Sequence, residues 1–348
     1  MAQIYTNKAI FVSDNPMDMT RLLMIAVASA CALAVSAGDA MAQDRTEFRD
    51  VVFATVPVAG EGTKDLRINI WKGTGNDPQP VVLFVHGGAW TSGNNNIDLS
   101  NSEQVKAMMS LRENGVTVAA TTYRFSNEAI FPAQIHDVKA AVRYLKANAE
   151  TYGIDPSRIM TMGESAGAML ALLAAVSNGE PDLEGDVGGN LDEDSNVVGC
   201  VDCYGMTDFL TLAADLYARP DLGRTDEQVY DLVESKDSSR SQFFGLTTDE
   251  CNLGTVSVKP EMFPKQYALV KSGSPLYHVT PDDPPILIIN GQKDIRVPSA
   301  QALKMYMALY DAGVEAELLL NDRAPHGNLG AESAAAIKSF VLRILLQK

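Results

Sequence analysis

Ile159-Met160-Thr161-Met162-Gly163-Glu164-Ser165-Ala166-Gly167-Ala168-Met169-Leu170-Ala171-Leu172-Leu173 is the stretch on which the fold turns. Its first four residues form a short strand-like run. From Ala166 onward it is rich in Ala, Leu and Met, which favour helix. Between the two lies a G-x-S-x-G pentapeptide. By itself that pattern is weak, because it occurs by chance and a serine there also serves as a helix cap. The flanks make it informative. A strand that feeds a helix through one sharp turn lifts the Ser165 hydroxyl above the end of a sheet. The small residues Gly163, Gly167 and Ala168 relieve the clashes that so tight a turn creates.

Outward from this turn, strand-like and helix-like segments alternate. Residues 51–56 and 66–71 read as an opening pair of strands around the turn Ala59-Gly60-Glu61-Gly62. Residues 81–85 are five consecutive apolar residues, as expected of a strand buried on both faces. A helix is expected over 102–114, a strand over 116–123, and an amphipathic helix over 133–152 with Ile135, Val138, Ala141, Val142 and Leu145 on one side. Further strands are expected at 197–204, 285–290 and 316–321, and a last helix at 333–346. Such alternation predicts an α/β protein with a mostly parallel central sheet and helices on both faces. The interval 206–280 breaks the rhythm. It is polar, rich in Asp and Ser, and has helix-like pieces only at 208–217 and 226–232, so it reads as a lid-like insertion over the carboxyl edge of the sheet. Ligands bind at that edge.

A serine hydroxyl needs a base to become a useful nucleophile, and the chain has 4 histidines. His86 follows the buried strand in His86-Gly87-Gly88-Ala89-Trp90, where a loop role suits it. His136 lies within the amphipathic helix, and His278 within the insertion. His326 follows the last strand, in Ala324-Pro325-His326-Gly327, and is the candidate base. The acid that would orient it is Asp294, on the loop after the strand 285–290. Asp208, after an earlier strand, is the rival; Asp282 and Asp283 precede their strand and would sit at the wrong edge. The resulting chain order, Ser then Asp then His, is that of the α/β-hydrolase arrangement. Developing negative charge on a carbonyl oxygen calls for preset amide donors, each worth about 3 kcal/mol. Ala166, next to the nucleophile, and Gly88 and Ala89, on the glycine loop after 81–85, are the candidates. Trp90 reads either as a wall of the substrate pocket or as a loop anchor, and Glu164 as a second substrate contact.

The chain has 348 residues, with 44 acidic against 28 basic ones and a net charge of −16. Phosphate backbones and anionic membranes repel such a surface, which disfavours nucleic acid as a partner. Part of the excess acid lies in the run 179–194, which reads as a solvated loop; a calcium site there is the sharper alternative. Arg21, the apolar run 22–37 and Ala40-Met41-Ala42 describe an export signal cleaved after Ala42, with a periplasmic or secreted protein as the product. The run is too short and Ala-rich for a stable membrane span, and Cys31 permits a lipoprotein reading in which Ala28 is a poor match. A single domain is then expected over 43–348. It holds Cys200, Cys203 and Cys251. Cys200 and Cys203 stand three apart on a strand and point to opposite faces, which suits neither a redox pair nor zinc. An oxidising compartment permits a Cys203–Cys251 disulfide that would pin the insertion, against three separate thiols.

The stretches 81–90, 123–175, 284–298 and 324–327 resemble bacterial α/β-hydrolase esterases of the carboxylesterase and hormone-sensitive-lipase-like groups. Together they cover most of the chain from about residue 65 to the end, apart from the insertion. The resemblance implies a Ser165-Asp294-His326 triad that hydrolyses short acyl esters without metal or organic cofactor, some relatives acting on acetyl or feruloyl groups of plant polysaccharides. Two departures blur the subfamily: Ala89 where lipase-like members carry a third glycine, and Ala168 where many have glycine. The expected partner is a small or carbohydrate-linked ester, and the sequence assigns no oligomeric state. An exported amidase or peptidase, or an arylformamidase, is the alternative on the same fold. A binding protein on a hydrolase scaffold is the alternative from another class, although such relatives usually lose the serine or the histidine.

Overall fold

The apolar run at 81–85 sits at the centre of the molecule. In the computed structural model, which describes residues 46–347 apart from 61, 77 and 252–259, it lies in strand β3 (Gln79–Val85), where every residue is buried. The expected export segment lies outside the described residues. Around β3 are β1 (Glu47–Pro57), β2 (Thr63–Trp71), β4 (Thr117–Thr121), β5 (Ile154–Glu164), β6 (Cys200–Cys203), β7 (Ile286–Gly291) and β8 (Ala316–Asn321). They form one eight-stranded sheet in the order β1-β2-β4-β3-β5-β6-β7-β8. β2 pairs antiparallel with β1 and β4, and every other pairing is parallel, so β2 alone runs against the rest.

The helices are α1 (Glu103–Ser110), α2 (Ala133–Ala147), α3 (Ala166–Val176), α4 (Leu212–Tyr217), α5 (Ser239–Phe244), α6 (Pro264–Ser272), α7 (Ser299–Ala312) and α8 (Gly330–Leu346), joined by single turns such as Asp226–Val229. α1 and α8 cover one face of the sheet, where Val105, Met108, Ile337 and Phe340 join Val82, Phe84 and Leu287 in one apolar cluster. The pleat turns Val81, Leu83 and Val85 to the other face, over which α3 packs with α2 against it. α3 is apolar all round and buried along its whole length, as a helix between a sheet and a second helix must be.

Several elements differ from the sequence expectation for local reasons. The helix expected over 133–152 is interrupted at Asn148, whose side chain turns back onto the Tyr144 carbonyl (2.8 Å), and one further helical turn follows at Ala149–Tyr152. The helix expected from 208 begins only at Leu212, because Asp208 accepts from the Leu210 amide and the Thr211 hydroxyl and holds a turn. α7 has no counterpart in the expectation, although Ala302, Met305 and Leu309 place a buried stripe at helical spacing after Pro298.

The cysteine bridge is overturned. Cys200, Cys203 and Cys251 are all thiols. Cys203 is fully buried within β6, packed in the cluster with Met162 and Ile289, while Cys251 sits in a turn and donates to the Thr248 carbonyl (3.0 Å). In the acidic run, Glu184 takes ion pairs from the buried Lys139 and Arg143 and a hydrogen bond from Ser195, and Asp194 pairs with Lys146 (2.6 Å). These carboxylates fasten the loop to α2, and no group of three or more metal-ligating side chains forms among the described residues.

One buried carboxyl is left with little support. Asp202 on β6 accepts one bond, from the Gly205 amide (2.7 Å), and its Oδ2 has no hydrogen-bond partner. Burial pushes its pKa up to about 7, against about 3.9 for an unfolded aspartate. Between those values the folded chain binds more protons than the unfolded one, so this group makes stability fall as pH rises. Asp202→Asn is expected to flatten that fall. Urea midpoints measured near pH 5 and near pH 7.5 should differ less in the variant than in the wild type.

Candidate active site

The elbow predicted at Ser165 is a consequence of close approach. β5 runs straight into α3, and Ser165, between them, adopts φ 54° and ψ −118°, a region that costs a side-chain-bearing residue of order 1–3 kcal/mol. A Cβ on Gly163 would lie 2.3 Å from the Gly167 carbonyl oxygen, and one on Gly167 would lie 2.1 Å from that of Val85. Both positions therefore exclude any side chain. The Ser165 amide donates to the Cys203 carbonyl (2.9 Å), which ties the turn to β6.

Two loops at the same sheet edge complete the arrangement. His326, on the loop after β8, faces Ser165 Oγ through Nε2 at 2.9 Å and Asp294 Oδ2 through Nδ1 at 2.7 Å. Asp294 is fully buried, and its other oxygen accepts from the amides of Arg296 (2.7 Å) and Val297 (2.9 Å). The carboxylate is thus fixed by its own loop and has one oxygen left for the imidazole. Asp208, the rival acid, is occupied by Leu210, Thr211 and Tyr277, and Asp283 closes a turn with Thr280. The other histidines are committed elsewhere: His136 to the Asp182 carbonyl and His278 to Glu180 and the Ser272 carbonyl.

The glycine loop after β3 is wound left-handed over three residues, with φ of 113° at Gly88, 53° at Ala89 and 58° at Trp90. The Gly88 carbonyl accepts from the amides of Thr91 (3.0 Å) and Ser92 (3.2 Å), which closes the turn. Beneath it, the His86 ring stacks on Tyr123 at 4.4 Å, and Tyr123 donates to the His86 carbonyl. Burial lowers the His86 pKa to about 4, so this ring is a neutral prop. The amides of Gly88 and Ala89 donate to no protein acceptor among the described residues, and both residues line the cleft beside Ser165. Ala166 opens α3, and the first amides of a helix have no partner within it.

Two spaces of unlike character meet at Ser165. One is an open cleft of about 540 Å³, lined by Gly88, Ala89, Glu164, Tyr204, Arg296 and His326. The other is a narrower pocket of about 40 Å³, walled by Trp90, Leu212, Leu232, Val233, Arg240 and Val297. A larger cavity at the acidic loop shares no lining residue with either, and the Ser195 hydroxyl in its wall donates to Glu184. Trp90 has contacts on two sides. It is buried and walls the small pocket, and it stacks on Phe243 of α5 at 4.4 Å, within an aromatic cluster completed by Phe209, Phe131 and Phe244. The insertion is thereby clamped onto the glycine loop.

Glu164, proposed from sequence as a substrate contact, lines the cleft and is gripped by Ser102, the cap of α1, and by Tyr204. Burial pushes its carboxyl above the usual range, opposed by those hydrogen bonds and by His326. Tyr204 also sets its ring edge against His326, with centroids 4.8 Å apart. Neither Tyr204 nor Ser102 was singled out by the motifs. The only signal for Tyr204 is that it ends a strand at the edge where His326 and Asp294 were expected.

The sequence profile of BD-FAE matches residues 68–309. The chain belongs to the BD-FAE family. It is 29% identical over 283 residues to esterase LipQ of Mycobacterium tuberculosis, covering 80% of this chain and 58% of LipQ. It is 27% identical over 269 residues to the isoprenylcysteine alpha-carbonyl methylesterase ICME of Arabidopsis thaliana, covering 76% and 54%. This BD-FAE chain thus spans just over half the length of the curated relatives it matches. Among solved structures it resembles a truncated carbohydrate esterase from gut microbiota, with 26% identity and a TM-score of 0.67 over 87% of this chain and 98% of that one. The butyrate-bound Est2 esterase of Thermogutta terrifontis shares the fold at 20% identity and a TM-score of 0.59, over 81% of this chain and 90% of that one. The fold is the α/β-hydrolase fold.

Removing the indole of Trp90 would empty the joint between glycine loop and insertion. Trp90→Ala is expected to destabilise the protein by about 3 kcal/mol. Limited proteolysis should cut α5 and the segment after it faster than in the wild type, before the sheet is attacked.

Proposed function

We propose that the protein is a serine carboxylesterase that hydrolyses short acyl esters through an acyl-enzyme intermediate. The observation that carries this reading is the hydrogen-bonded series Ser165–His326–Asp294, at 2.9 and 2.7 Å, seated on a strained elbow beside two unused backbone amides. In the proposed reaction Ser165 Oγ attacks the ester carbonyl carbon while His326 Nε2 takes the hydroxyl proton. Asp294 holds the ring in the orientation that points Nε2 at Ser165 and stabilises the imidazolium. The amides of Gly88, Ala89 and Ala166 receive the oxyanion. The alcohol leaves with the proton from His326. Water, deprotonated by the same histidine, then releases the acid.

The small pocket supports the restriction to short acyl chains. Its volume of about 40 Å³ has room for roughly three water-sized groups, which fits an acetyl or propionyl chain. The open cleft suits a bulkier alcohol, and the likeness to a carbohydrate esterase supports a sugar-linked one. Export, with residues 1–42 removed, belongs to the same proposal and is supported by the sequence pattern alone.

Ser165→Ala and His326→Ala are each expected to lower kcat for p-nitrophenyl acetate by about 10⁵- to 10⁶-fold, and Asp294→Asn by about 10⁴-fold. A fluorophosphonate probe should label Ser165 in the wild type and not in Ser165→Ala. Turnover should fall steeply from the acetate through the butyrate to the octanoate ester. A wild type that takes no label would return the chain to the binding-protein reading, and undiminished turnover of the octanoate would refute the acyl limit.

A further inference from the structure

The open side of the cleft carries a guanidinium that forms no ion pair among the described residues, although the carboxyl of Glu164 lines the same cleft. Arg296 stands two residues after Asp294 and lines both the cleft and the small pocket beside Ser165. Its backbone amide braces the Asp294 carboxylate, which fixes the start of the side chain. Its guanidinium is exposed and makes no ion pair or hydrogen bond among the described residues. Arg224 lies beside it and donates to the Ile295 carbonyl. Burial holds the Arg224 guanidinium below its ordinary range, and repulsion from Arg296 lowers it further. The opposing charge that acts on Arg224 is that of Asp294, which is fully buried and bonded to His326.

The rest of the surface makes this pair unusual. The chain has 44 acidic residues against 28 basic ones, and Arg49, Arg67, Arg158, Arg219, Arg323 and Arg343 all lie beside a carboxylate. Arg224 is held by backbone carbonyls, but neither arginine forms an ion pair among the described residues, and the two repel each other. An anion supplied from outside would relieve that repulsion. Arginine presents a planar fork of donors that matches a carboxylate, and charge-assisted bonds of this kind are among the stronger ones.

We propose that Arg296 is a specificity determinant that binds a carboxylate on the alcohol portion of the ester, with Arg224 reinforcing the field. The preferred substrates are then short acyl esters of acidic alcohols, such as those of a uronic acid. The alcohol side is assigned because the small pocket has no room for an anionic acyl group, whereas the cleft is open. This inference rests on the esterase reading above.

Two acetyl esters that differ chiefly in charge separate the cases, 3-acetoxybenzoate and its methyl ester, with release of acetate as the measured reaction. The wild type is expected to show a higher kcat/KM for the carboxylate, the difference residing in KM and shrinking as NaCl is raised. Arg296→Gln should lower the carboxylate-to-methyl-ester ratio of kcat/KM by about tenfold, and Arg296→Lys, which keeps the charge but loses the fork, should lower it less. Turnover of both esters with an unchanged ratio in Arg296→Gln would overturn the carboxylate assignment and leave the esterase reading standing. Turnover of neither ester, with no fluorophosphonate label on Ser165, would overturn both.

Discussion

The contact between the backbones at Gly163, Gly167 and Val85 is the constraint from which the rest of this site follows. β5 and α3 meet so closely that no Cβ is tolerated at either glycine, and the turn between them forces Ser165 to a positive φ. Strain of that kind persists only where the surroundings over-determine it. Here α3 is buried along its length, β3 and β5 pair in register from Val81 to Val85, and the Ser165 amide is held by Cys203 of the neighbouring strand. The same packing places the nucleophile level with the loops that leave β3, β7 and β8. Those loops need little structure of their own, because a rigid parallel sheet delivers all of them to one edge.

The insertion does a different job. It gives nothing to the Ser–His–Asp series but supplies half of the residues that line the small pocket, Leu212, Leu232, Val233 and Arg240 among them. Its attachment is aromatic: Trp90 of the glycine loop packs on Phe243, and Phe209, Phe131 and Phe244 complete the cluster. Clustered rings bury large area at modest entropy cost, so a segment of short helices and turns is held without the disulfide that an exported chain would permit. The loop whose Gly88 and Ala89 amides stay unused is therefore also the anchor of the small pocket's wall. A change in one is felt by the other.

Much of this was legible in the sequence because its signals were local or ordinal. The buried run at 81–85, the G-x-S-x-G turn between strand and helix, and the order Ser165, Asp294, His326 each follow from rules that need no knowledge of distant contacts. The illegible parts share one cause. Ser102 and Tyr204 reach Glu164 from separate elements, and the role of Trp90 depends on a phenylalanine far along the chain. The Cys203–Cys251 idea failed for the same reason, since depth within β6 is a property of the sheet and strand position alone does not reveal it. The helix at Ser299–Ala312 is a different kind of miss. Its Ala302-Met305-Leu309 stripe was readable, but three exposed apolar residues, Leu303, Met307 and Tyr310, blur its amphipathic pattern.

Under the proposed esterase reading, substrate selection is divided between two spaces that meet at Ser165 and share Arg296. On that reading the acyl side is the small pocket walled in part by the insertion, whose cluster would set how long a chain fits. The alcohol side is open and framed by scaffold loops, where Arg296 is fixed at its root by the same carboxylate that orients His326. In a chain of net charge −16, the long-range field would repel an anionic alcohol, so any attraction must be local and short-ranged. An exposed arginine within reach of the nucleophile supplies that, because fields from surface charges fade over about 10 Å at ordinary ionic strength while a direct contact does not. A distant negative surface and a positive cleft mouth are thus compatible, and the mouth alone governs an ester that has already reached Ser165.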